Sequence, residues 1–407
     1  GQGFLNVHFP STNTDYAAGL ECLSVPLVTH EVGQYVVYPN LAEEKKFAAT
    51  PLRPTALEAI RADLTAKGLR DDAERFTRDS GKLAALLYKE DIERALRTKD
   101  LAGIQLLQLQ DFPGQSTATV GLLDAFWDSK GLITPEEFRN FSAPVVPLAR
   151  MDKFVWENTE QFTAAMELAN FGLAPLRGAQ FTARLVTEDG TALATHAFPA
   201  RDFPLGNALP IGRFEADLSA IATATKLTLE VFSTNPATRN TWPVWVYPLQ
   251  TPAIDMRKFQ THRGVTQECL AALAAGDTVL LLPPAGAVKK ALPARFIPVF
   301  WSPLHFPNQP GTLGATIDTG HPLWSRFPTD THTNWQWWEL TAQSVAVDFA
   351  GLDPAIATPF RFVDKYNRNA LPVAIFEAKV GPGKLLGCTL DVESDPDKRI
   401  VARALHH

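Results

Sequence analysis

Two short apolar runs, far apart in the chain, constrain the fold most. "CLSVPLVTH" (22–30) and "GIQLLQLQ" (103–110) are compact and apolar-rich rather than cleanly alternating, the pattern of strands buried on both faces of a parallel sheet. Parallel neighbours need a long crossover, and the text between the runs supplies one. "TALEAIRADLTAKGL" and "DDAERFTRDSGKLAALLYKEDIERALRT" carry apolar residues three and four apart, with Gly68 as a stop signal between them. After the second run, "TPEEFRNF" reads as a short helix with Thr134 at the N-cap and Pro135 in the first turn. Strand, helices, strand, helix is βα order.

The pattern then changes. "QFTAAMELANFG", "AQFTARLVTEDGTALATHAFP", "GRFEADLSAI" and "KLTLEVFST" alternate apolar and polar residues between turn signals such as Asp189-Gly190. Short alternating strands at this spacing predict an antiparallel, immunoglobulin-like β-sandwich. Beyond it α/β text returns. "TVLLLPP" and "FIPVFW" read as buried strands, "TQECLAALAAG" as a helix ended by Gly276, and "LPVAIFEAKVGPGKLLGCTLD" as a hairpin turning at 381–383. A chain of 407 residues is long enough for several domains. The expected division is 1–143, 144–252 and 253–407.

Composition narrows the partners. With 45% apolar and 20% charged residues, a net charge of -6 and no Lys/Arg-rich stripe, nothing points to nucleic acid or a membrane surface. No run reaches transmembrane length, and no signal peptide is present. The chain opens "GQGFLNVHFP" without an initiator Met, so it reads as a piece of something longer. Thirty-one prolines suit a loop- and strand-rich chain, and nine tryptophans suit carbohydrate, whose C–H faces stack on flat rings. Cys22, Cys269 and Cys388 lie far apart in apolar contexts, which predicts buried thiols and neither a metal site nor a disulfide framework. No cofactor is implied.

Catalytic groups in α/β barrels stand where strands end and loops begin. "PLVTHEVGQYVVYPN" puts His30 and Glu31 at such a point, with Gly33 freeing the backbone to turn. By pattern alone a Glu there is an ordinary structural charge, but Gln34, Tyr35 and Tyr38 can all hydrogen-bond or stack. The second strand end, "LQLQDFPGQ", offers Gln110, Asp111, Phe112 and Gln115, amides and carboxylates for hydroxyls beside an apolar wall. "DAFWDSKG" adds Trp127 and Asp128. Trp127 reads either as the floor of a sugar subsite or as interface core. "HPLWSRFPTDTHTNWQWWEL" gathers His321, His332 and four tryptophans, yet lacks metal-ligand spacing and a nucleophile elbow. Packing at a domain interface is the expectation there. "GPGK" at 381–384 is a hairpin turn and not a phosphate loop.

These residues resemble a known family. "VPLVTHEVGQYVVYPN" with "GIQLLQLQDFPGQSTATVGLLDAFWDSKGLITPEEF" is similar to the end of the catalytic barrel of glycoside hydrolase family 2, in a β-galactosidase-like branch from polysaccharide-degrading bacteria. "HPLWSRFPTDTHTNWQWWEL" and "FEAKVGPGKLLGCTLDVESD" resemble an accessory domain of the same proteins. The resemblance implies a multidomain chain: the last two βα units of a (β/α)8 TIM barrel, an immunoglobulin-like sandwich, and a flavodoxin- or glutamine-amidotransferase-like α/β domain. It implies that the two opening strands are the seventh and eighth of the barrel. Glu31 then matches the family's nucleophile, with His30, Gln34, Tyr35, Gln110, Asp111, Phe112, Gln115, Trp127 and Asp128 as substrate-binding candidates. It also implies a carbohydrate substrate and a periplasmic or secreted bacterial protein. Where the better-known members carry Glu-Tyr, this chain has Glu31-Val32, so substrate identity does not transfer.

A retaining glycosidase needs two carboxyl groups roughly 5 Å apart. One attacks, while the other protonates the leaving oxygen and then activates water. The family's acid/base follows strand four, outside this chain, so these 407 residues alone are expected to be inactive and to need the missing N-terminal part of the protein. Two alternatives remain. One is a non-catalytic carbohydrate-binding or scaffold protein. The other is an amidotransferase-like enzyme centred on the third region, for which no nucleophile is found.

Overall fold

The computed structural model describes residues 8–249, 259–342, 344–351, 355–393 and 400–406. It is a strand-rich mixed α/β structure. Among the described residues, no helix is long and apolar enough to cross a membrane.

The two opening strands, β1 (Val28–Val32) and β2 (Gly103–Leu106), pair in parallel, Val28 opposite Gly103 and Val32 opposite Leu106. Their crossover holds α1 (Thr55–Ala66) and the 25-residue α2 (Ala73–Arg97). Gly68, at φ 70, ends the first of these. The short α3 (Pro135–Arg139) begins with a capping box. Thr134 Oγ1 accepts from the Glu137 N–H, and the Glu137 carboxylate accepts from the Thr134 N–H.

Helix α2 is buried on almost every face, including its charged one. The reason is its position between three regions. Leu83 packs against Gly314 of the third region, while Lys89 Nζ donates to Asn240 Oδ1 at 2.7 Å and Trp242 Nε1 donates to Glu93 at 2.8 Å in the sandwich. Arg97, fully buried, reaches Glu90 at 2.8 Å. These charges tolerate burial because each is paired and hydrogen-bonded.

The middle region has two facing sheets. One contains β3 (Val145–Arg150), β5 (Gln161–Asn170) and β10 (Gly206–Asp217). The other runs β4 (Val155–Glu157), β12 (Ala237–Tyr247), β11 (Thr225–Thr234), β7 (Thr182–Thr187) and β8 (Ala192–Ala197). All these pairings are antiparallel except β4–β12. A small pair, β6 (Leu176–Ala179) with β9 (Arg201–Phe203), stands apart. Alternating residues such as Phe162, Met166, Leu229 and Val231 point into one shared core. The 143–144 boundary falls between α3 and β3; the 252–253 boundary lies outside the described residues.

The third region is a mixed sheet and not the all-parallel, doubly wound sheet of a flavodoxin-like domain. Its order is β13 (Gln260–His262), β14 (Thr278–Leu281), β20 (Gly383–Cys388), β19 (Pro372–Val380), β17 (Val345–Asp348) and β15 (Leu292–Pro293). The further strand β18 (Ala357–Phe362) joins β19, and β16 (Ala315–Ile317) joins β18. In this order only the β13–β14 and β14–β20 pairings are parallel. A tight turn joins β19 to β20, with Gly381 at φ 59, and a turn that short can only reverse the chain. Helix α4 (Gln267–Ala275) starts at the Thr266 cap and ends at left-handed Gly276.

"FIPVFW" is not a strand. It contributes only a bridge from Phe300 to Tyr35, because Pro298 lacks a donor and Trp301 turns the chain at φ 56. The Trp-rich segment forms short turns at a seam. Trp335 stacks on Phe154 of the sandwich at 5.5 Å, and Tyr247 donates to Gln336 at 2.8 Å. Cys269 and Cys388 are buried, but Cys22 is exposed, since the segment before β1 is covered by nothing described.

Candidate functional site

Glu31 occupies an unusual backbone position. Between the Thr29–Ile104 and Val32–Leu106 pairings, β1 carries one residue more than β2, a bulge at His30-Glu31. Glu31 itself has φ 56, a left-handed conformation that a non-glycine residue adopts at a cost of order 1 kcal/mol. Bulges re-aim side chains and concentrate near active sites. Here the result is a carboxylate half open to solvent (48% exposed) at the end of a strand that otherwise turns inward at Val32.

The carboxylate is held from two sides. Gln34 Nε2 donates to Oε2 at 3.2 Å, and His30 Nε2 lies 3.4 Å from Oε1. His30 is in turn oriented by Gln105 of β2 through its Nδ1. Gly33 makes the turn possible twice over. Its φ is 93, and a Cβ there would stand 2.2 Å from the Tyr88 ring. Tyr88 anchors the floor by donating to the carbonyls of Gln108 and Val120 at 2.6 and 2.9 Å.

Tyr35 is not surface-accessible. Its ring is buried and its hydroxyl donates to Asp91, so it supports the loop from below and presents nothing to a substrate. Burial and the adjacent Asp91 carboxylate push its hydroxyl well above the ordinary tyrosine range.

The loop after β2 holds the other candidates. Gln110 is half-buried and bridges to Leu123. Asp111 is turned inward, accepting from the Gly121 N–H at 2.8 Å and from Lys130 at 2.7 Å. Those bonds make it a loop brace, held by an interior cation that the spacing could not reveal. Phe112 is partly exposed, 5.9 Å from the Trp301 ring, and Gln115 stands exposed in a left-handed turn at φ 47. Trp127 is 63% exposed, which excludes a core role for its ring. Asp128 pairs with Lys46 at 2.6 Å.

Two contributors escaped the sequence reading. Trp301 of the third region donates its N–H to the Gln34 carbonyl at 3.1 Å, bringing a distant segment against the Glu31 loop. Glu43 is buried beside the Asp111 loop, where burial, ahead of the Asp111 charge, pushes its carboxyl up to about 8. Neither "FIPVFW" nor "NLAEEKKF" signals these contacts, which depend on tertiary packing. Among the described residues, no group of three or more His, Cys, Asp or Glu could hold a metal ion.

Residues 261–407 match the family model "Domain of unknown function (DUF8487)", and residues 160–248 match "Domain of unknown function (DUF8488)". No curated protein matches the chain. Solved structures similar to parts of it include the exo-chitosanase CsxA of Amycolatopsis orientalis, 15% identical, with 49% of this chain and 23% of that one covered and a TM-score of 0.27. The β-glucuronidase of Parabacteroides merdae is 11% identical over 34% of this chain and 21% of that one, at 0.20. The DNA glycosylase AlkC of Pseudomonas fluorescens is 17% identical over 26% and 31%, at 0.19. The chain spans less than a third of the length of each. At such TM-scores the likeness carries no functional weight.

Proposed function

We propose that this chain belongs to a retaining β-glycosidase of β-galactosidase-like type and that Glu31 is its nucleophile. The observation that carries the reading is the bulged, left-handed placement of Glu31, which aims an exposed carboxylate outward at a strand end between His30 and Gln34. Backbone strain of this kind persists where the surroundings enforce it, and functional sites are where it concentrates. The residue resemblance to glycoside hydrolase family 2 supplies the reaction class. Glu31 attacks the anomeric carbon as the glycosidic bond breaks, and water later hydrolyses the glycosyl-enzyme.

The parallel β1–β2 pair is read as two of eight barrel strands. Exposed Leu23, Val25, Val28 and Leu109 around it form an apolar margin that further strands would cover. The acid/base is assigned to that remaining part of the barrel, and the protein to the bacterial periplasm or exterior. The exposed Trp127 favours a second reading, a non-catalytic carbohydrate-binding protein that stacks sugars without cleaving them.

Azide rescue separates the two. In the intact protein, Glu31→Ala lowers hydrolysis of an aryl β-galactoside on the order of a thousandfold or more. Azide then restores turnover and yields the α-glycosyl azide. Unchanged hydrolysis in the variant, or binding without cleavage in the wild type, contradicts the catalytic reading.

A further inference from the structure

A cavity of about 230 Å³ opens between the loop after β1, the turn before α1 and the loop after β2. Its walls include Phe47, Leu57 and Phe112, and Leu52 and Phe112 are exposed large apolar residues on it. Glu43 lines it. A short turn, Leu41–Glu43, capped by the Asn40 side chain accepting from Ala42, places that residue. Glu43 is 5% exposed, and among the described residues its buried Oε1 has no hydrogen-bond partner. A buried carboxyl oxygen left without a partner is costly and favours a group that can donate to this carboxyl.

The charges around the cavity are engaged with other partners. Lys130 is engaged by Asp111, and Lys46 by Asp124 and Asp128. Arg53, which also lines the cavity, is engaged by Glu58 at 2.6 Å. Each of these three cations therefore already has its carboxylate, and none is paired with Glu43. We propose that this cavity binds a small organic cation, a primary ammonium on a compact apolar body, with Glu43 receiving the ammonium and Phe47, Leu52 and Phe112 enclosing the body. The proposal does not depend on the assignment of Glu31.

The raised Glu43 pKa, caused by burial first and by Asp111 and Asp124 besides, agrees with this. Without a ligand the carboxyl keeps its proton at neutral pH. An ammonium would have to displace that proton, so binding must strengthen with pH up to about 8.

The test is calorimetric titration of the protein with benzylammonium chloride, and with benzyl alcohol as the neutral isostere, at pH 6 and pH 8. The expected result is binding of the ammonium only, with affinity rising roughly fiftyfold between those pH values as the ionised fraction rises. Glu43→Gln, which keeps shape and loses the charge, is expected to abolish it. Leu52→Ala, at an exposed position that leaves the fold intact, is expected to weaken benzylammonium more than methylammonium. Equal binding of the alcohol, retained binding in Glu43→Gln, pH-independent affinity, or competition by potassium ion alone at equal concentration would overturn the proposal.

Discussion

Lys130 Nζ lies 2.7 Å from Asp111 Oδ1, with both side chains shut away from solvent. The same ammonium donates to the Gly121 carbonyl at 2.9 Å, while Asp111 accepts from the Gly121 N–H. The loop after β2 is therefore braced from within. Removing one partner strands a buried charge. Lys130→Met should destabilise the protein by about 3–5 kcal/mol, and adding Asp111→Asn should recover part of that. Urea denaturation of the single and double variants checks both.

Gly33 and Gly68 both have positive φ but differ in their surroundings. A Cβ at Gly33 meets the Tyr88 ring, whereas nothing lies within 4 Å at Gly68. Gly68→Ala should cost about 1 kcal/mol from backbone strain alone. Gly33→Ala should cost roughly 2–4 kcal/mol, since overpacking adds to the same strain, and should displace the Glu31 loop. Thermal unfolding ranks the pair.

Glu43 gives a pH signature. Its native carboxyl titrates near 8, against 4.5 ordinarily. As pH rises from 4.5 towards 8, the unfolded chain surrenders a proton that the native state keeps, so this group drains stability across that window. Glu43→Gln removes the drain. The variant should match the wild type near pH 4 and exceed it above pH 8, by on the order of a few kcal/mol. Denaturation midpoints across the pH range give the difference directly.

Trp127 is too exposed for a packing role. Trp127→Ala should leave stability within about 0.5 kcal/mol while weakening sugar binding, read as a higher KM or a lost tryptophan fluorescence change on titration with oligosaccharide.

Elements built from local pattern were legible in the sequence. Thr134 caps its helix, Gly276 ends another, and the turn at Gly381 joins the hairpin, because each signal is a near-neighbour interaction. What stayed hidden depends on distant partners. Nothing in "KEDIERALR" shows that its charges are buried, since Asn240 and Trp242 satisfy them from the sandwich. Asp111 and Tyr35 looked available because Lys130 and Asp91, which occupy them, are set by tertiary packing. The hairpin read at 381–383 is present, and its tight turn sets the direction of β19 against β20.

In the proposed reaction Glu31 forms the covalent bond to sugar. The most direct measurement treats the intact protein with a 2,4-dinitrophenyl 2-deoxy-2-fluoro-β-glycoside, then identifies the labelled peptide by mass spectrometry. A single fluoroglycosyl adduct on Glu31, absent from Glu31→Gln, is the predicted result. An adduct on another carboxylate, or undiminished turnover in Glu31→Gln, would contradict it.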